Sequence, residues 1–335
     1  MYVFALAIFF LFTQDCVCFT PRAPQRRSLG LRSGELSANP DPEDLAIFCN
    51  REMHGQKLEA IGFDMDFTLA QYNEAFDLLA FEGAREKLHT TLGYPEEVLG
   101  FEYSANLFRR GLIIDTERGN IIKVDRHRYA RKVIHGLDEM PSDQRKATYT
   151  ESFSQAPSYS GSNYVNIDTL FLLVDALLFA YLVDMCDKNR DDSFFAEKTY
   201  ASLFKDVRHC VDLCHRDGAI KDAVMNDPSK YVIYDDQLVP MLQRYRVAGK
   251  KTFLLTNSFW DYTESVMEYL LHGTGEHKDL DWTDLFDVTI VGASKPVFLT
   301  GSNDIYRLTS SGLLRNIEDK DNELLEVDGV QGEDK

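Results

Sequence analysis

The chain is short of positive charge. Its 335 residues carry 36 Lys and Arg against 54 Asp and Glu, a formal net charge of −18. Such a surface repels a phosphate backbone over most of its area, which excludes general nucleic-acid binding. Cysteine is sparse and irregular: Cys16, Cys18, Cys49, Cys186, Cys210 and Cys214 form no disulfide-framework spacing. A chain of this length buries a core large enough to do without staples, so reduced thiols are expected. Also absent is an apolar stretch of membrane length free of acids. Residues 167–186 come nearest, but Asp168, Asp175 and Asp184 interrupt them. A carboxylate near a bilayer centre costs about 2.5–3.5 kcal/mol, so this stretch reads as a buried helix and no membrane span is expected in the mature body. Tryptophan is scarce, with 2 residues, yet 22 Phe and 16 Tyr supply the bulk of a packed globular core.

The charge is uneven. Residues 1–34 hold Arg22, Arg26, Arg27 and Arg32 against Asp15, a balance of +3 that leaves −21 for the remainder. Residues 2–13 form one apolar block of signal-peptide length, too short to span a bilayer comfortably. Cys16 and Cys18 supply the −3 and −1 positions of a cleavage before Phe19, and the segment that follows is basic, contains Ser and lacks acids, as a transit peptide does. The whole resembles the two-part presequence of proteins sent to plastids of secondary-endosymbiotic algae; secretion or endomembrane delivery is the alternative. Residues 1–38 are therefore set aside as an address, and the body begins after the Pro-broken linker Asn39-Pro-Asp-Pro-Glu-Asp44.

Along the body, Leu58–Phe63 is an apolar strand ending in Asp64-Met65-Asp66, and residues 74–92 have helical spacing. Gly111–Asp125 places two β-rich runs around Glu-Arg-Gly-Asn, a hairpin signature. Its surroundings are basic (Arg109, Arg110, Arg118, Lys123, Arg126, Arg128, Arg131, Lys132) but have little aromatic interleaving, which favours a solvated edge or attraction of an anionic substrate. Residues 135–165 read as a mobile connection. A helix is expected from about Phe195 to Arg216. On it, His209-Cys210 and Cys214-His215 share a face, yet no second ligand pair accompanies them, so packing is preferred over zinc. A helix over 236–249, a strand Lys251–Thr256, a helix over about 260–271 and a strand Val288–Val291 follow. Helices alternating with strands that end in polar motifs describe a Rossmann-like α/β core with a parallel sheet. A mostly helical cap with a β-hairpin, at about 100–230, interrupts that core, whose parts are 57–95 and 235–300.

Three strand ends bring complementary chemistry: two carboxylates from Asp64 and Asp66, neutral donors from Thr256 and Asn257, and a cation from Lys295. Phosphoryl transfer needs such parts: a nucleophile, an acid/base, donors for phosphate oxygens and charge neutralisation. The spacing of two residues puts Asp64 and Asp66 on one side of an extended chain.

Asp64-Met-Asp-Phe-Thr-Leu matches the DxDxT signature of haloacid-dehalogenase (HAD) superfamily phosphatases. With IGFDMDFTLAQYN, RGLIIDTERGNIIKVDRHRYARKVIHG, FLLTNSFWDYT and LFDVTIVGASKPVFL in order, residues of roughly 45–310 resemble the cytosolic purine 5′-nucleotidase-like family, which includes the 5′-nucleotidase domain-containing proteins. The resemblance implies a phosphoric monoester hydrolase with Asp64 as nucleophile and Asp66 as acid/base. It implies Mg²⁺ held by the Asp64 carboxylate and the Asp66 carbonyl, phosphate bound by Thr256 and Asn257, and Asp64 oriented by Lys295. The implied substrate is a nucleoside monophosphate or another small phosphate ester, and a homo-oligomer is compatible with all of this.

Two departures stand out. The family's fourth motif, a Gly-Asp with a second Asp a few residues on, is not found after Lys295; Leu324-Leu-Glu-Val-Asp328-Gly is the nearest string and lacks a strong strand before it. The acidic segment 311–335 thus reads as the point where a longer gene product is truncated, or as the mark of a catalytically impaired binding or regulatory member, with weakened Mg²⁺ affinity expected either way. The segment Asp187–Glu197 also fails to match a purine-specific pattern, so base specificity does not carry over.

Overall fold

The computed structural model describes residues 58–149, 158–309 apart from 274, 276, 278 and 303, and 314–316. The segment 1–38 expected to be a presequence, the linker after it, Cys16, Cys18, Cys49 and nearly all of the acidic tail lie outside these residues. The chain opens with β1 (Ala60–Phe63), β2 (Gln71–Tyr72) and α1 (Glu74–Thr90). Helix α1 starts where Asn73 accepts a hydrogen bond from the Ala75 N–H at 3.0 Å, and it buries Phe76, Ala80, Phe81, Ala84 and Leu88 at helical spacing. An inserted region follows: β3 (Ile113–Asp115), β4 (Asn120–Val124), β5 (Ala130–His135), β6 (Asp138–Glu139), α2 (Ser142–Tyr149) and β7 (Tyr164–Asn166). The chain then runs through α3 (Leu172–Lys188), α4 (Ser193–Ala196), α5 (Tyr200–Arg216), α6 (Ala219–Asn226), α7 (Pro228–Tyr231), β8 (Val232–Ile233) and α8 (Leu238–Val247). It closes with β9 (Lys251–Leu255), α9 (Trp260–His272), β10 (Val288–Ile290), α10 (Val297–Thr300) and an antiparallel pair, β11 (Tyr306–Leu308) and β12 (Leu314–Asn316).

The core sheet has the order β1-β9-β10, all parallel. This is the expected α/β arrangement, in which ligands gather beyond the carboxyl ends of the strands. Gly62 stands opposite Phe253 in that ladder, and a Cβ there would come within 2.1 Å of the Phe253 ring, so the strand needs glycine for the ring to lie across it. Helix α5 begins with a reciprocal Thr199/Ser202 capping box and buries Leu203, Phe204, Val207, Cys210, Val211 and Cys214 against α1 and α3. Cys210 and Cys214 are thus packing residues, and no group of three metal-ligating side chains occurs among the described residues. Helix α3 is buried along most of its length, and no helix among the described residues is long and apolar enough to cross a membrane.

The inserted region differs from its expectation. The hairpin at 111–125 is the centre of a five-stranded antiparallel sheet, β6-β5-β4-β3-β7. The stretch 135–165, expected to be a mobile connection, contributes the end of β5 together with β6, α2 and β7. Its Ser, Asp and Tyr content hides these elements because two- and three-residue strands carry no periodicity of their own; their ladder partners impose them. The hairpin turn uses Gly119 at φ 70°, where a Cβ would lie 3.0 Å from the Tyr200 ring. Asp115, fully buried, accepts hydrogen bonds from the N–H groups of Glu117 and Arg118 and from the Tyr149 hydroxyl. His135 bonds Asn120 Oδ1 and Asp187 Oδ2, both at 2.7 Å, tying this sheet to the end of α3. Three of the eight basic residues along this edge are paired with acids: Arg118 with Asp115, Arg131 with Asp125 and Lys132 with Glu139. The helix expected over 195–216 is broken after Ala196, because Thr199 starts a new helix.

Candidate active site

The carboxyl ends of β1 and β9 and the loop after β10 bring the expected residues together. Asp64 is the first residue past β1. Its Oδ1 accepts the Met65 N–H at 2.8 Å and its Oδ2 lies 2.7 Å from Lys295 Nζ. The lysine also donates to the Leu255 carbonyl at 2.8 Å, so its ammonium is fixed between the ends of β1 and β9. Thr256 is fully buried; its N–H bonds the Ile290 carbonyl and its hydroxyl oxygen accepts the Ser258 N–H at 3.1 Å, leaving the hydroxyl proton to donate elsewhere. Asn257 is placed otherwise than a simple phosphate donor. Its Oδ1 accepts the Lys295 N–H at 2.6 Å and its Nδ2 donates to the Lys295 carbonyl at 3.3 Å, so its amide staples the two loops.

Asp66 is clamped at both oxygens. Tyr72 donates to Oδ1 at 2.5 Å and Ser258 donates to Oδ2 at 2.8 Å. Enclosure raises its pKa above the usual carboxylate value, opposed by the two hydroxyl donors, while the Asp64 charge adds to the rise and Lys295 opposes it. Two carboxyls in such unlike surroundings can divide acid/base and nucleophile roles between them. Phe67, directly after Asp66, has φ 54°, a costly conformation for a non-glycine residue, and its ring is held edge-on by Tyr72, Phe76 and Phe171. Ser294, at φ 56°, makes the corresponding bend before Lys295.

Sequence reasoning missed Tyr72, Ser258 and Tyr262. All three stand inside the motif strings IGFDMDFTLAQYN and FLLTNSFWDYT, which was the signal available, but nothing local says which way their hydroxyls point. Phe259 borders the site and is 63% exposed, with Lys221 Nζ 5.1 Å above its ring. The Phe171 ring, packed against Phe67 at 4.7 Å, meets His215 edge-on at 6.0 Å. Clefts of about 510 and 760 Å³ lie against the inserted sheet, and none of Asp64, Asp66, Thr256, Asn257 and Lys295 lines either.

The 5′ nucleotidase family profile matches residues 47–328. The chain belongs to the 5′ nucleotidase family. Among characterised relatives it is similar to 5′-nucleotidase domain-containing protein 2 of Homo sapiens, at 29% identity over 296 residues, covering 85% of this chain and 54% of the human protein. The chain thus spans about half the length of that relative. The family match takes in both the parallel core sheet and the inserted antiparallel sheet, so the residues around Asp64 and those of the insertion belong to one family unit.

Proposed function

We propose that this chain is a phosphatase of the 5′-nucleotidase type, acting on a nucleoside monophosphate through an aspartyl-phosphate. The observation that carries this reading is the pairing of Asp64 with Lys295 at 2.7 Å beside an Asp66 held by two hydroxyls. An Asp64 oxygen attacks phosphorus while the bond from phosphorus to the ester oxygen breaks, and the Asp66 carboxyl gives its proton to the departing alkoxide. Asp66, now ionised, takes a proton from water; the water oxygen attacks phosphorus, the bond to Asp64 breaks, and inorganic phosphate leaves. Lys295 holds Asp64 in line and neutralises charge, and the Thr256 hydroxyl donates to a phosphate oxygen. The exposed Phe259 ring and the Lys221 ammonium form a rim suited to a planar or anionic group on the substrate.

The donors at this site are all oxygen, which suits a hard cation such as Mg²⁺, and a Mg²⁺ site commonly uses only one or two carboxylates with the remainder from water and phosphate. The Asp64 carboxylate and the Asp66 carbonyl would hold it. The ion, when bound, would offset the repulsion between carboxylate and phosphate. The absence of a third carboxylate at Asp64 among the described residues favours one alternative, a catalytically impaired binding member of the family. Hydrolysis of a panel of nucleoside monophosphates and sugar phosphates by the full chain with Mg²⁺, set against Asp64→Asn, separates the two. Turnover by the wild type that falls about a thousandfold or more in the variant is expected; equal inertness of both proteins counts against catalysis by this chain.

A further inference from the structure

Asp66 does not set its own orientation. Tyr72 donates to Oδ1 at 2.5 Å, and the Tyr262 hydroxyl lies 2.9 Å from that of Tyr72. The Tyr72 proton is committed to the carboxylate, so Tyr262 must donate to the Tyr72 oxygen, and the two hydroxyls form a chain polarised toward Asp66. Both tyrosines are buried, at 9% and 4% exposure. The Tyr72 ring stacks on Phe76 at 4.2 Å and meets Phe67 edge-on at 5.1 Å. Its backbone pairs with Val232 in the short β2-β8 ladder, and the next residue, Asn73, donates its N–H to the Tyr231 carbonyl at 2.9 Å. A phenol so fixed on every side gives its acceptor little rotational freedom. Since Ser258 engages the other oxygen, rotation of the Asp66 carboxyl would break two hydrogen bonds at once.

We propose that Tyr72, backed by Tyr262, is a positioning residue for Asp66, holding the carboxyl in the orientation from which the leaving oxygen receives its proton. The assignment rests on the phosphatase reading above and deepens it. The role belongs to the first half of the reaction, in which the bond to the leaving oxygen breaks as a proton moves from Asp66 to that oxygen. An alkoxide such as the 5′ oxygen of a nucleotide needs that proton; a nitrophenolate leaves without it. Because kcat/KM reports only steps up to departure of the leaving group, it isolates the acid role from the later activation of water.

The test compares kcat/KM for a nucleoside monophosphate and for p-nitrophenyl phosphate in the wild type and in Tyr72→Phe. The ratio of alkyl to aryl ester is expected to fall about tenfold or more in the variant. A loss of the same factor on both substrates, or no loss, overturns the assignment, since a merely structural defect does not discriminate between leaving groups. Tyr262→Phe keeps Tyr72 in place and should move the ratio in the same direction by a smaller factor; it decides the matter if Tyr72→Phe does not fold, and an unmoved ratio there counts against the assignment. A wild type inactive on both esters overturns the phosphatase reading itself and the assignment with it, an outcome distinct from an active wild type whose selectivity the variants leave unchanged.

Discussion

Lys295 has two jobs that one substitution separates. Its ammonium lies 2.7 Å from Asp64 and 2.8 Å from the Leu255 carbonyl, while its peptide groups are gripped by the Asn257 amide. Replacing the side chain leaves the backbone staple in place and removes only the charge. Lys295→Met, of similar length and no charge, should therefore lower kcat/KM about a hundredfold or more. The accompanying fall in unfolding free energy should be about 1–3 kcal/mol, from the bonds lost by Asp64 and Leu255. Steady-state kinetics and a denaturant titration on the same protein check both numbers. Asn257→Ala attacks the other job: the ammonium stays, but the loop that carries it loses its tie, so this position tests loop placement rather than charge.

At the scale of elements, the α3–α5 contact contains a carboxyl in an unfavourable place. Asp175 is fully buried in α3; Arg208 of α5 donates to its Oδ1 at 2.7 Å, while Oδ2 has no hydrogen-bond partner among the described residues. Burial outweighs the arginine and pushes its pKa up to about 6. Asp77 in α1 is likewise pushed up to about 6 by burial, against a hydrogen bond from Tyr103. A carboxyl whose folded pKa is raised favours the folded state in its protonated form. Its contribution is full below the unfolded value near 4 and is lost as pH rises through about 6, a change of roughly 3 kcal/mol for Asp175. Asp175→Asn should flatten the decline in stability between pH 4 and 6 relative to the wild type. Urea midpoints across that range measure it, and parallel curves for the two proteins would count against this account.

These elements also show what a sequence can and cannot disclose. Strands β1, β9 and β10 are legible because each is an apolar run that stops at a polar motif, and Asp64, Asp66, Thr256, Asn257 and Lys295 follow from where those runs end. On α5 the burial of Cys210 and Cys214 follows the spacing of its apolar face, as legible in the sequence. Strands β5, β6 and β7 are not legible: Arg131 and Lys132 make β5 read as a charged edge, and the others are too short to show alternation. The Asp66 clamp is hidden for a different reason. Tyr262 and Ser258 stand far along the chain from Tyr72 and Asp66 and reach them only through the parallel pairing of β1 with β9, so their use depends on tertiary placement.

For the whole molecule, the distribution of apolar burial sets how it should unfold. One continuous cluster runs from Ile61 and Phe63 of β1 and Leu254 of β9 through Phe81 of α1 to Leu177 of α3 and Val207 of α5, and on to Ile114 and Ile121 on one face of the inserted sheet. Among the described residues, a small second cluster of Ile113, Ile122, Val133, Tyr149 and Tyr159 lies on that sheet's other face. Five buried side chains at about 1.5–3 kcal/mol each cannot hold an independent folding unit once chain entropy is counted. The inserted sheet should therefore melt with the core. The two tryptophans lie outside the inserted sheet and report the core, where Trp260 and Trp282 pack together with ring centroids 5.6 Å apart; hydrogen exchange of the amides of β3, β4 and β5 reports the inserted sheet. Tryptophan fluorescence and the protection of those amides should be lost in one coincident transition. Protection lost at a lower temperature than fluorescence would mean that the inserted sheet opens on its own, and that the cluster joining the two parts is weaker than its burial implies.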